Sequence, residues 1–159
     1  MNNFWRIFKV AGLLLIVFIC SACGTGTVAS SDGVMKCSRT GNIDGATSEM
    51  KYELYYEGEY LTILHSTEKV ISDDANILDT YEEAYKNIYK AYEGLEYYDV
   101  EVRRTDVSVT SDVVINYAKI DIDALLDIEG REDNIVAEDG KVKLQTWLDF
   151  AEPFGVTCQ

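Results

Sequence analysis

The sequence predicts an α+β domain with an antiparallel sheet of about four strands, and three observations carry this. Two runs rich in β-branched and aromatic residues flank the glycine-containing turn Glu57-Gly58-Glu59. A second such pair lies between Tyr98 and Tyr117, and one long amphipathic segment stands between the pairs. Strands and helices segregate without βαβ alternation, so the sheet is antiparallel and the helix covers its apolar face.

In the first run Met50, Tyr52, Leu54 and Tyr56 alternate with Lys51 and Glu53, which gives one apolar and one charged face. With YLTILHSTEKV after the turn, this is a hairpin. One side of the sheet is therefore expected to face water. Asp73 and Asp74 then precede ANILDTYEEAYKNIYKAYEGL, where Ile77, Tyr81, Ala84, Tyr85, Ile88 and Tyr92 recur at helical spacing. An aspartate caps the start, Gly94 suits the left-handed residue at the end, and Tyr81, Tyr85 and Ile88 are expected to face the sheet. Tyr98, Val100 and Val102, followed by Val107, Val109, Val113, Ile115 and Tyr117, make a second hairpin. Asp121 caps a short helix through Leu125 and Leu126, and GREDNIVAEDGK reads as a loop. Leu144, Trp147, Leu148 and Ala151 then share a helical face that Pro153 and Gly155 close, so small helices end the chain.

Ahead of the domain, Arg6 and Lys9 precede the apolar run VAGLLLIVFI from Val10 to Ile19. A membrane span needs about 20 apolar residues, so this is the pattern of a signal peptide, residues 1–22. Cys20-Ser21-Ala22-Cys23-Gly24 looks like a lipobox, with two small residues before the cysteine that becomes the new N-terminus. Cys20 stands where an aliphatic residue is usual. A diacylglyceryl thioether on Cys23 supplies two acyl chains, which stable anchoring requires. Residues 23–36 read as the lipidated cysteine and a flexible tether, because GTGTVASSDG is small, polar and aperiodic, and residues 37–159 as one extracytoplasmic domain. An extracytoplasmic compartment permits a disulfide, and Cys37, before the first expected strand, is expected to pair with Cys158, after the last helix.

Cleavage removes two basic residues and no acid from a chain of net charge −14, leaving −16. Such a surface disfavours nucleic acid, since that affinity comes from neutralising phosphates with Lys and Arg. Solubility in an anionic envelope is the simplest account of the acidity.

The lipobox leader together with YELYYEGEYLTILHSTEKV, YEEAYKNIYKAYEGLEYYDVEV and INYAKIDIDALLDIEG resembles the YehR-like small bacterial lipoproteins, over about Met50 to Gly130. The resemblance implies an α+β fold and an envelope location, and it supplies no catalytic motif.

No catalytic constellation is recognisable. The single histidine, His65, excludes Ser-His-Asp, Cys-His and multi-histidine metal sites within one chain, and a strand histidine is ordinarily structural. There is no CxxC, no GxGxxG and no P-loop. The aspartates of Asp121 to Glu129 lack the sixth-position glycine and twelfth-position glutamate of a calcium loop, and suit helix capping and a solvated face. Of the 11 tyrosines, Tyr55, Tyr60, Tyr97 and Tyr98 occupy strand positions where an exposed patch could bind peptide or glycan, although core tyrosines with wet hydroxyls account for most. The expectation is thus a lipoprotein on the outer face of the cell membrane, held there through lipid on Cys23. Its domain is read as a non-enzymatic binding or interaction module for an envelope protein or small ligand, with no cofactor, metal or nucleic acid. The alternative is an envelope hydrolase using paired carboxylates.

Overall fold

The computed structural model describes residues 32–43, 45–131, 134–137 and 139–159. The leader, Cys23 and the tether up to residue 31 lie outside the described residues.

Among the described residues seven strands form one antiparallel sheet, where the sequence pattern predicted about four. They are β1 (Gly33–Ile43), β2 (Ala46–Glu57), β3 (Tyr60–Ile71), β4 (Tyr98–Arg104), β5 (Ser108–Asn116), β6 (Val142–Lys143) and β7 (Thr157–Cys158). The helices are α1 (Ala75–Tyr89), α2 (Ile122–Glu129) and α3 (Leu144–Ala151). The spatial order is β4-β5-β3-β2-β1-β7, and β6 pairs with the start of β3 through Leu61 and Val142.

Both expected hairpins are present, as β2-β3 and β4-β5. The undercount has a physical source. β1 includes Gly33 to Lys36, read from sequence as tether, and its inward positions run Met35, Cys37, Arg39, Gly41, so apolar alternation stops after two residues. What holds β1 is backbone pairing with β2 along its whole length, from Gly33 opposite Tyr56 to Ile43 opposite Ala46. β6 and β7 have two residues each, too few to show a period.

Cys37 lies within β1, not ahead of the sheet, and is joined to Cys158 of β7 across a Cα separation of 3.9 Å. The two stand directly opposite each other, and the neighbouring pair Lys36 and Gln159 exchange backbone hydrogen bonds of 3.3 and 2.9 Å. The bond therefore clamps a strand only two residues long to the sheet edge.

Asp74 caps α1 by accepting from the Asn76 amide at 2.8 Å, and Gly94, at φ 87°, turns the chain after a closing 3-10 turn. Asp121 caps α2 in the same way, accepting from the Ala124 amide at 3.1 Å. Of the residues expected to face the sheet, Tyr85 is buried and Tyr81 packs beside it, whereas Ile88 is half-buried and belongs to neither core cluster; Leu78, fully buried, takes the central place, flanked by Ile77 and Tyr89.

Helices and core lie on one face of the sheet, in two clusters at opposite ends of the strands. The larger joins Cys37, Leu54, Leu64, Val113 and Ile115 to Leu125 of α2 and Trp147 of α3. The smaller joins Ala46, Val70 and Val109 to Leu78 and Tyr85 of α1. The opposite face carries Lys36, Glu53, His65, Thr67, Lys69 and Asp112 and is open to solvent, as the alternation predicted.

Candidate functional site

Between the two clusters the helix-bearing face turns polar. Register places Arg39 of β1 opposite Met50 of β2, Met50 opposite Glu68 of β3, and Glu68 opposite Ser111 of β5, in one row across the sheet. The next row toward the smaller cluster runs Gly41, Ser48, Val70, Val109. α1 packs over β3, β5 and β4, and Trp147 of α3 sits edge-on to Tyr52 at 5.1 Å. The part of β1 and β2 that carries Arg39, Gly41, Ser48 and Met50 forms one quadrant of this face. This quadrant has Met50 on its floor, with the Tyr85 side of α1 along one margin and Tyr52 along another.

Each polar group here lacks something. Arg39 is half-buried and forms no ion pair among the described residues. Its guanidinium folds back over Gly41, 3.8 Å from where a β-carbon there would stand. Glu68 is half-buried and likewise has no cation within ion-pair distance among the described residues. Burial pushes its carboxyl above the usual range, while the Tyr85 hydroxyl and Arg39 pull it part of the way back. Tyr85 and Ser48 are each 5% exposed, and both hydroxyls are buried without a hydrogen bond of ordinary geometry among the described residues. The Tyr85 hydroxyl is turned toward Glu68 but does not close a well-formed bond, so burial and the facing carboxylate both raise its pKa. Burial, with Glu68 adding to it, pushes Tyr52 up to about 12, and its hydroxyl reaches only the Met50 thioether at 3.4 Å. Tyr89 is satisfied by Ser111 at 3.4 Å.

The titration of Glu68 gives a first expected result. Facing it are Arg39, Tyr52, Tyr85 and Tyr89. Because its folded-state pKa is raised, the folded chain holds more protons than the unfolded one between the two values, and stability falls as pH rises through the folded value. Glu68→Gln should therefore raise the melting temperature at neutral pH. The advantage shrinks as the carboxyl protonates and is gone below the ordinary 4.5. Equal melting of the two proteins between about pH 4 and about pH 8 would contradict this.

The residues singled out from sequence are dispersed. Cys37 and Cys158 are bonded at the far edge of the sheet. His65 is on the open face, between Glu53 and Val114. Asp123 and Asp127 both pair with Arg131, at 2.9 and 3.3 Å, on the α2 surface. Tyr55 is on the open face, whereas Tyr98 stacks on Tyr92 at 4.2 Å on the helix side, so the strand tyrosines do not form one patch. Tyr92 donates to Glu129 at 3.4 Å and ties the end of α1 to α2. A shallow hollow beside α1 gathers Asp79, Glu82 and Glu83, but Arg104 engages the first two, at 2.9 and 3.7 Å, and Lys86 also engages Glu82.

No protein-family model and no curated protein matches the sequence. Among solved structures, the NMR structure of the E. coli YehR protein superposes with a TM-score of 0.57 at 20% identity, over 80% of this chain and 91% of that one. The fold is that of YehR. The NMR structure of a Streptococcus pneumoniae TIGR4 protein follows it, with a TM-score of 0.50 at 15% identity over 90% and 95% of the two chains. At such identities the likeness to YehR concerns the fold, and it indicates no enzyme family.

Proposed function

We propose that the protein is a membrane-anchored lipoprotein, held on the outer face through lipid on Cys23, whose domain is a non-enzymatic binding module of the cell envelope. The anchor is supported by the sequence: Arg6 and Lys9, the apolar run to Ile19, and small residues Ser21 and Ala22 before Cys23. The binding role is supported by one observation, the polar interruption of the helix-bearing face, where Arg39 and Glu68 form no close ion pair and the Ser48 hydroxyl is buried without a hydrogen bond among the described residues. Buried polar groups are ordinarily satisfied, and leaving one unmade costs about 1 to 3 kcal/mol. A polar cluster at a core-facing position is what a bound ligand would complete.

A melting-temperature screen of polar small molecules and envelope-derived fragments tests the binding role. A ligand at about 100 times its Kd stabilises by about 2.7 kcal/mol, which is several degrees for a domain of this size. Wild type should respond to at least one compound that leaves Arg39→Gln unmoved. A featureless screen, together with a pull-down that recovers no partner, would overturn the reading.

A further inference from the structure

We infer that β4 is the interface of a homodimer, pairing antiparallel with β4 of a second copy about a two-fold axis at Val102. The inference stands apart from the ligand reading, because β4 is the sheet edge farthest from β1 and the quadrant.

Backbone and charge together carry it. β4 ends the sheet, and its outer flank meets no further strand among the described residues. The Asn116 amide donates to the Tyr97 carbonyl and the Thr105 amide to the Ser108 carbonyl, so the odd-numbered residues between them bond to β5 and the even-numbered ones point outward. The amides and carbonyls of Val100, Val102 and Arg104 therefore line an open edge. Edges that avoid pairing are kept short, bulged, or seeded with proline or lysine. β4 has 7 residues, keeps unbroken register with β5 and contains neither residue.

The side chains select the occupant. β4 is acidic at Asp99 and Glu101 and basic at Arg103 and Arg104, so it is locally neutral in a chain of net −14, and an antiparallel copy sets acidic half against basic half. Residues opposite each other share a sheet face, so the axis passes through a residue and not between two. At Val102 it puts Glu101 opposite the partner's Arg103 and Val100 opposite the partner's Arg104, with no like charges facing. At Glu101 it would set two glutamates face to face, which is destabilising. The Val102 register also joins Val100, Val102 and Arg104, the residues whose backbone groups point outward, to one another across the axis. The Glu101 and Arg103 side chains are 63% and 56% exposed, so both stay reachable. Arg103 engages Glu101 and Asp112 of its own chain, and a guanidinium with five donors can be shared further. Val100, 38% exposed, is covered in the pair by the stem of the partner's Arg104.

The test is sedimentation equilibrium of the full chain in density-matched mild detergent. Wild type should be a reversible dimer with a Kd at or below about 100 μM. Val100→Pro removes an outward amide and no bond to β5, and should weaken the dimer at least about tenfold. Glu101→Lys and Arg103→Glu should each do the same, because each sets like charges opposite one another. Mixed in equal amounts, these two charge variants should pair as wild type does, since every facing pair is again of opposite sign. Circular dichroism confirms that each variant is folded, and if Val100→Pro is not, the charge variants carry the test by themselves. The inference is overturned if wild type is monomeric at about 1 mM, whether or not another extended chain occupies the edge. It is overturned equally if the folded variants dimerise as wild type does, the result when two anchors merely share a micelle, or if the mixed charge variants stay apart.

Discussion

Cys158→Ser is expected to lose up to about 5 kcal/mol of stability, the chain-entropy value for a loop closed over 121 residues. That is comparable to the whole net stability of many domains, which is about 5 to 15 kcal/mol. Cys158 is the better residue to change, because it is exposed whereas Cys37 is buried in the larger cluster. The serine removes the bond and little packing; Cys37→Ala removes the bond and also thins the core. Chemical denaturation should thus place Cys158→Ser well below wild type and Cys37→Ala at or below Cys158→Ser. Reductant should lower wild type toward Cys158→Ser and leave both variants unchanged. The reason for so large an effect is the shortness of β7: two residues and a pair of Lys36–Gln159 backbone bonds hold it without the disulfide. Wild type that melts identically with and without reductant would contradict the role given to the bond.

Leu78→Asp is expected to unfold the domain. Leu78 is fully enclosed among Ala46, Val70, Tyr85 and Val109, an apolar setting for an introduced carboxylate. A buried unpaired charge costs several kcal/mol, and truncating a core leucine alone costs about 2 to 5. Ile88→Asp is the informative companion. Ile88 is half-buried and outside both clusters, so its carboxylate can reach water and the variant should stay folded with a modest loss. Circular dichroism melts of the two decide the matter. Equal collapse of both, or survival of Leu78→Asp, would mean that α1 packs through a different face.

This pair also shows where the sequence was legible. The helix was plain from its period and its aspartate cap, but Ile77 and Leu78 are neighbours. An apolar stripe through 77, 81, 84 and 88 reads as well as one through 78, 81, 85 and 89. Tertiary packing chose the second. The two hairpins were legible because Leu54, Val113 and Ile115 keep strict phase with polar neighbours. β1 was not, because after Cys37 its inward positions are Arg39 and Gly41, the residues that make the quadrant. Polarity and legibility are opposed there, since a polar residue at a core-facing position breaks the apolar pattern that marks a strand. The same signal stands in β2 and β3, where Ser48 and Glu68 occupy the apolar phase set by Leu54 and Leu64. Reading those interruptions as features would have marked three of the site's residues. Their meeting in one place follows from strand register, which no spacing along the chain displays.

Whether this domain stands on a membrane is decided most directly at Cys23. Cells expressing the full chain are fed a clickable fatty acid, and the labelled protein is compared between wild type and Cys23→Ser. Wild type should carry the label at a mass reduced by the loss of residues 1–22. Cys23→Ser should carry none and keep its leader, because lipid on that cysteine is what licenses cleavage. Label of equal intensity on both proteins, or none on wild type, would contradict the anchor.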